Sequence, residues 1–386
     1  MHVKALLPKL YNTNSMNIKT FINVLNQIAP IEFAEDFDNV GLLVGNENNI
    51  LTNILVCHDA LETVIDEAIA KNCNFVICFH PIIFSGLKKI TGKSYVERAV
   101  MKAIRNDIAI YAMHTALDNH SEGVNKIFCD ALDIVKTKIL IPKKNYIQKL
   151  ITFAPNNDAE TIRNALFEAG AGRIGNYENC SFNSEGIGTF QGNEKSNPVI
   201  GHRFEFKTEH ETKIEVTFEK HLQRQILKAL FDAHIYEEVA YEIVALENKH
   251  QNIGLGMIGE LETEMTEQDF LEMVHNKIDA KGIRHSEFLN KKVKKIAVLG
   301  GAGSFAISNA IVAEADVFLT ADLKYHQFYE AENKILLVDV GHYESERYTK
   351  NHIVAQISKK MINFAPNSEK INVVLSETNT NPVKYL

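Results

Sequence analysis

Six short apolar runs constrain this chain more than any other feature of it: ILVCHDA at 54–60, NFVICFH at 74–80, AIYAMH at 109–114, KKIAVLGG at 294–301, ADVFLTADL at 315–323 and KILLVDVGH at 334–342. Strands that are apolar throughout, rather than alternating, belong to sheets covered on both faces. Helical patterns at 61–71 and near 94–106 take turns with the first three runs, which is the signature of an α/β fold. A helix is expected over 18–29, where Ile18, Phe21, Ile22, Val24, Leu25 and Ile28 recur at helical spacing before Pro30. Further helices are expected near 325–332 and from about 344, and INVVLSE at 371–377 adds a last strand.

The alternation stops between about 147 and 247. There the strand IQKLITFAP leads into the helix NDAETIRNALFEAG, with Asp158 as N-cap and Gly170 as its stop. The Gly/Ser/Asn-rich CSFNSEGIGTFQGNEKSNPVIG follows, then the strand TKIEVTF, the helix KHLQRQILKALFDAH and the strand VAYEIVALE. That β-α-β-β-α-β order suggests a ferredoxin-like α+β insert. The expected division is therefore a two-part α/β domain, residues 1–137 and 251–386, interrupted by an insert at 138–250, with 251–295 reading as a link.

Composition narrows the function classes. Across 386 residues the hydrophobic fraction is 45% and the charged fraction 23%, and no stretch reaches the ~18 uninterrupted apolar residues of a membrane span, so a soluble protein is expected. A net charge of −8 removes any general attraction to nucleic acid or anionic membranes. The five cysteines are scattered without a CxxC pair, which excludes a disulfide framework or thiolate zinc finger and fits a cytoplasmic protein. The first 15 residues lack the features of a secretory signal, and Met16 is a candidate start.

The strongest chemical signal is GHYESER at 341–347, directly after an apolar strand. A helix beginning there puts His342 and Glu346 on one face at i and i+4, a spacing that suits two ligands of one metal centre as well as a surface pair. His80 ends the strand NFVICFH, at the carboxyl end where α/β sheets place their chemistry. Asp118 follows the strand AIYAMH in a loop and is favoured as a ligand over His114, which is expected to orient the Asp118 carboxylate. Asp59 reads equally as a site residue or as the N-cap of the helix that follows it, and Asp38 and Asn39 as turn caps or site neighbours. GGAGS at 300–304 is a weak match to an anion-binding nest, and Asp322, Lys324 and His326 lie near a strand end.

Taken in order, DNVGLLVG, HPIIFSGLKKITG, IAIYAMHTALDN, GGAGS, ADVFLTADLKYH and LLVDVGHYESER resemble the GTP cyclohydrolase 1 type 2 homologue family, over most of the chain. CSFNSEGIGTFQG and YEEVAYEIVALEN resemble the PII-like, divalent-cation-tolerance-like insert of its long members. The resemblance implies a toroidal homohexamer with two divalent metal ions per subunit, held by His80, Asp118, His342 and Glu346, with Glu346 bridging. It also implies ring-opening hydrolysis of GTP. Phe79 stands where the family pattern has a histidine, which removes a ligand from the second metal, so that this metal is expected to bind weakly, to take extra water or to recruit a substitute such as His58. Phe37 and Ala321 replace a usual Trp and Gly. A ligand set of imidazoles and carboxylates suits Zn, Fe, Mn, Co or Ni. Two readings follow: a hydrolase using a metal-activated water on a nucleotide or related small molecule, or a non-enzymatic metal-binding scaffold, carrier or regulator.

Overall fold

The computed structural model describes residues 16–364 and 371–386. The first fifteen residues, whose lack of a secretory signal was inferred above, lie outside the described part. The chain divides into two units, one formed by the chain up to Ile141 and again from Ile253, the other by Pro142–Asn252.

In chain order the first unit opens with α1 (Ile18–Asn26), β1 (Gly41–Val44), β2 (Ile54–Asp59), α2 (Glu62–Ala70), β3 (Phe75–His80), α3 (Tyr95–Arg105), β4 (Ala109–Ala112), α4 (His114–Asp118), α5 (Val124–Ala131) and β5 (Val135–Pro142). The second unit contains β6 (Ile147–Pro155), α6 (Ala159–Glu168), β7 (Ser181–Gln191), β8 (Phe206–Glu219), α7 (Gln223–Ala233) and β9 (Tyr241–Leu246). The first unit resumes with β10 (Gly254–Thr266), α8 (Glu267–Ile278), β11 (Arg284–His285), β12 (Lys292–Ala302), α9 (Ile307–Val312), β13 (Val317–Ala321), β14 (Leu336–Asp339), α10 (His342–Glu346), α11 (Thr349–Phe364) and β15 (Val373–Leu375).

Two sheets build the first unit. One has the order β1-β4-β3-β2-β15, parallel except for β1, and the other has the order β11-β14-β13-β12-β10-β5, with β12, β13 and β14 parallel. The fully apolar strands take the inner positions: Leu55, Val56, Val76, Ile77, Val298 and Leu319 are all completely buried. Burying both faces of these strands supplies the main apolar driving force, at roughly 25 cal/mol per Å². The second unit carries one sheet, β7-β8-β6-β9, with every neighbouring pair antiparallel.

Two expectations about elements change, for 251–295 and for Asp118. Residues 251–295 are not a link, since β10, α8 and β11 lie within them; Gly254, Gly256 and Gly259 broke the apolar pattern that would have marked β10. The Gly/Ser/Asn-rich stretch holds β7, the second strand that the β-α-β-β-α-β order requires, and its residues pair one for one with β8 from Ser181↔Val216 to Gln191↔Phe206. Pairing there overrides low strand propensity. Asp118 lies on the short helix α4, not in a loop, because the strand ends at Ala112.

Glu67 on α2 ties the C-terminal segment down. Its carboxylate accepts hydrogen bonds from Ser376 Oγ, Glu377 N, Thr378 N and Thr378 Oγ1 and pairs with Lys71 at 2.8 Å. Burial alone would raise this carboxyl, but Lys71 and the hydrogen bonds outweigh it and hold its pKa near 2, below the ordinary 4.5. A depressed carboxylate contributes stability above its unfolded pKa and loses it as pH falls through the folded value. Glu67→Ala is expected to lower the free energy of unfolding by about 2–3 kcal/mol at neutral pH. The gap between wild type and variant should close as pH drops from about 4.5 towards 2, followed by denaturant titration with circular dichroism.

Candidate metal centre

The carboxyl ends of strands from both sheets of the first unit converge on the side chain of Glu346. From one sheet, β3 ends on His80 with Pro81 after it, and β2 ends on His58 and Asp59. From the other, β14 passes through Val340 and Gly341, whose φ of +91° turns the chain into α10. His342 and Glu346 then share one face of α10, as their spacing requires. Glu346 is 4% exposed, and its Oε2 has no hydrogen-bond partner.

Imidazoles surround that oxygen. His342 Nε2 lies 3.2 Å from Glu346 Oε2, His80 Nε2 3.3 Å and His58 Nε2 3.6 Å. His80 Nε2 and His342 Nε2 are 3.3 Å apart. The ligand atoms of His58, His80 and Glu346 lie within 4.8 Å of one another. Ligands held about 2.0–2.2 Å from a tetrahedral ion stand about 3.3–3.5 Å apart, so the spacing fits a metal. Asp118 Oδ1 is also buried without a partner. Burial first, then the Glu346 charge, pushes its carboxyl well above the carboxylate range. Buried polar atoms without partners are rare, and an absent ion is one reason for them.

Each imidazole except His58 is oriented by a carboxylate. His80 Nδ1 is 2.8 Å from Asp59 Oδ1, and Asp59 Oδ2 accepts from Thr380 Oγ1 at 2.6 Å. His342 Nδ1 is 2.8 Å from Asp322 Oδ2. Fixing Nδ1 in this way aims Nε2 and raises its basicity, the usual arrangement behind metal-binding histidines. The charges work in the same direction. Burial would lower the His80 imidazole, but Asp59 and Glu346 reverse that and raise its pKa to about 9. Asp322 and Glu346 overcome burial likewise and lift His342 to about 11. Burial, with His80 beside it, depresses His58 to about 4. The carboxylates of Asp59, Asp322 and Glu346 give these rings an electronegative setting that suits a cation.

Gly300 and Gly301 make room for this. A Cβ on Gly301, whose φ is +69°, would stand 2.4 Å from Glu346 Oε1 and 3.4 Å from His342 Cε1. The backbone N–H groups of Gly300 and Gly301 donate to Asn125 Oδ1 and Ser345 Oγ, both at 3.0 Å. These two N–H groups are thus engaged by side chains and not free for an anion, and the two glycines serve close packing.

The expectations for His114 and Asp59 are also corrected. His114 does not orient Asp118; its Nδ1 pairs with Asp38 Oδ1 at 2.8 Å, while Asp38 Oδ2 accepts from Thr115 N. Burial opposes these bonds, but with Asn39 N–H they hold the Asp38 carboxyl near 2. Asp59 is not the cap of α2, whose N-cap is Leu61 without a side-chain bond. Asn39 Nδ2 donates to Ile83 O. His326 is exposed and packs on Tyr325 and Tyr329, and Lys324 is exposed beside it. Phe37 is 69% exposed and fills no core position, whereas Ala321 is fully buried. Phe79 is fully buried in the core, with its ring 5.5 Å from that of His58.

A cavity of about 370 Å³ opens beside the cluster, lined by His58, His80, His342, Tyr343, Arg284 and Tyr385 among others. Sequence reasoning missed the C-terminal wall. Tyr385 rests where a Cβ on Gly282 or Gly341 would come within 2.2 or 2.8 Å of it, and Asn381 donates to Glu344 Oε1. A glycine-free tail of mixed polarity carries no local signal for that role.

Comparison with known proteins agrees over nearly the whole chain. The family profile of Duf34/NIF3 (NGG1p interacting factor 3) matches residues 16–382. A Bacillus subtilis GTP cyclohydrolase 1 type 2 homolog is 38% identical over 376 residues, covering 96% of this chain and 99% of the relative. The crystal structure of a Bacillus cereus protein related to NIF3 is 37% identical with a TM-score of 0.85, covering 97% of this chain and 100% of that one. That of the Staphylococcus aureus protein SA1388 is 28% identical with a TM-score of 0.76, covering 96% and 99%.

Removing the carboxylate behind His342 tests the geometry without touching a buried group. Asp322→Ala should weaken binding of Zn²⁺ or Co²⁺ by about 10- to 100-fold. The melting temperature of the metal-stripped protein should stay unchanged, both read by chelator competition and calorimetry on the same preparations.

Proposed function

The chain belongs to the Duf34/NIF3 family, and from that premise we propose that it is a divalent-metal-dependent hydrolase acting on a nucleotide or related small molecule. The observation that carries the reading is the buried, unpartnered Glu346 Oε2 faced by three imidazole nitrogens. His80, Asp118, His342 and Glu346 are the proposed ligands and would hold two divalent ions per chain. A divalent ion held there supplies Lewis-acid polarisation and makes water acidic enough to attack near neutral pH.

The protein's own groups do the rest. Asp59 and Asp322 hold the His80 and His342 rings so that their Nε2 atoms face Glu346. His114, fixed at Nδ1 by Asp38 and with its ring centroid 5.4 Å from that of His80, is placed to hold or pass a proton at Nε2. Its φ of +23° is a strained value for a non-glycine residue, of the kind that collects at functional sites. Arg284 pairs with Asp339 on the cavity wall with more than half of its side chain exposed, which suits an anionic group on the substrate. Tyr343 and Tyr385 add aromatic walls for a planar base.

The remaining parts of the reading concern assembly. The second unit is proposed to be a ferredoxin-like, PII-like module, supported by its element order and by the strand order β7-β8-β6-β9. Six chains are proposed to close into a ring in the cytoplasm. No described helix is long and apolar enough to cross a membrane.

The experiment is a metal inventory followed by a substrate screen. Purified wild type is expected to carry a divalent metal by mass spectrometry and to turn over at least one member of a panel of nucleotides, GTP included, and phosphoesters. The His342→Ala/Glu346→Ala variant should lose both metal and turnover. Turnover that survives the double substitution would sink the hydrolase reading, and stoichiometric metal with no turnover would make the protein a metal-binding scaffold or carrier.

A further inference from the structure

We infer that His58 is a ligand of the metal centre, presented by β2 beside the non-coordinating Phe79 and aimed at Glu346. The inference rests on the metal-centre reading given above. In the parallel pair β2/β3, the register Cys57↔Cys78 and Asp59↔His80 makes Phe79 the lateral neighbour of His58. Side chains alternate along both strands, so the two rings share a face of the sheet. They stack with centroids 5.5 Å apart and planes 27° apart. Phe79 has no lone pair to offer, and the imidazole next to it stands at the same level, one strand over.

The state of that imidazole is what needs explaining. His58 is 3% exposed, and both its Nδ1 and its Nε2 are buried without a hydrogen-bond partner. A histidine kept only for packing would place two polar nitrogens in the interior at a cost that an apolar ring avoids. The nearest carboxylate in sequence, Asp59, is engaged by His80 and Thr380 and does not serve it. Tyr343 meets the ring edge-on at 5.3 Å, Phe79 covers a face, and Nε2 is left facing Glu346 Oε2 at 3.6 Å. His58, His80 and Glu346 are also the residues whose ligand atoms fall together within 4.8 Å. Adding His58 brings three imidazole nitrogens within 3.6 Å of the Glu346 carboxylate oxygen, a donor set for Zn²⁺, Co²⁺ or Ni²⁺ rather than for Mg²⁺ or Ca²⁺.

The test compares full-length wild type, His58→Phe, and His58→Phe/Phe79→His, each stripped of metal and titrated with Co²⁺ and with Zn²⁺. Bound metal per chain, affinity by chelator competition and the visible absorption of the Co²⁺ form are read. His58→Phe should bind about 100-fold more weakly or lose metal outright, with weaker visible bands as an imidazole is replaced by water. Returning an imidazole at position 79 should recover affinity to within about tenfold of wild type. X-ray absorption of the wild-type Co²⁺ protein counts imidazoles without any substitution, and the total per chain, the average per ion multiplied by the bound Co²⁺ per chain, is expected to be three. Unchanged metal content, affinity and spectrum in His58→Phe would overturn the assignment, as would an imidazole count satisfied by His80 and His342 alone. Wild type that binds neither ion would overturn the centre itself, and His58 with it.

Discussion

A single buried carboxylate organises this unit. Glu346 is almost wholly withdrawn from water, and a lone ion in that position would cost many times what the fold can supply. The carboxylate is nonetheless held ionised: burial pushes its pKa up, but His342 and His80 outweigh it and drive it far below the ordinary range. Everything around it can be read as a response to that charge. The strand ends supply imidazoles, the paired glycines before α9 let α10 lie against the sheet, and acidic residues one layer out hold the rings in place.

The division of labour between the sheets follows from the physics of parallel strands. Main-chain pairing fixes where a strand ends to within a fraction of a residue pitch, because the register of β2 on β3 and of β13 on β14 is locked by buried faces. Ligands placed at those ends inherit that precision. The groups that steer them are less regular: Asp322 follows β13, and Thr380 arrives from a tail anchored through Glu67. Positioning is thus spread over distant sequence segments, which makes the centre a product of the whole unit and not of one motif.

How far this was legible in the sequence differs by element. The inner strands and the His342/Glu346 pair could be read directly, because continuous apolar runs and i,i+4 spacing are local properties. β10 could not, since its glycines erase the pattern, and the bounds of β7 could not, since its residues become a strand only by pairing with β8. At the site, the convergence of His80 with His342 joins residues 262 positions apart, so no spacing argument reaches it. Asp59 was ambiguous for a related reason: its place before a helix mimics a cap, while its partner is across the sheet in β3. His114 was assigned to its sequence neighbour, whereas Asp38 had the better geometry from 76 residues away.

The arrangement also gives the centre a direction. His58, Glu346 and the Asp118 oxygen are sealed, whereas the His342 side chain is 37% exposed and His80 23%. The open side is therefore the one lined by His342, Tyr343 and Arg284, where the cavity meets the α10 face. The same side is bounded by the C-terminal segment, where Tyr385 lies against Gly282 and Gly341 and Asn381 holds Glu344. A deep, rigid set of donors with one exposed imidazole separates two tasks that a single shell cannot perform together. The sealed groups fix charge and geometry, and the exposed edge leaves room for an incoming molecule to approach.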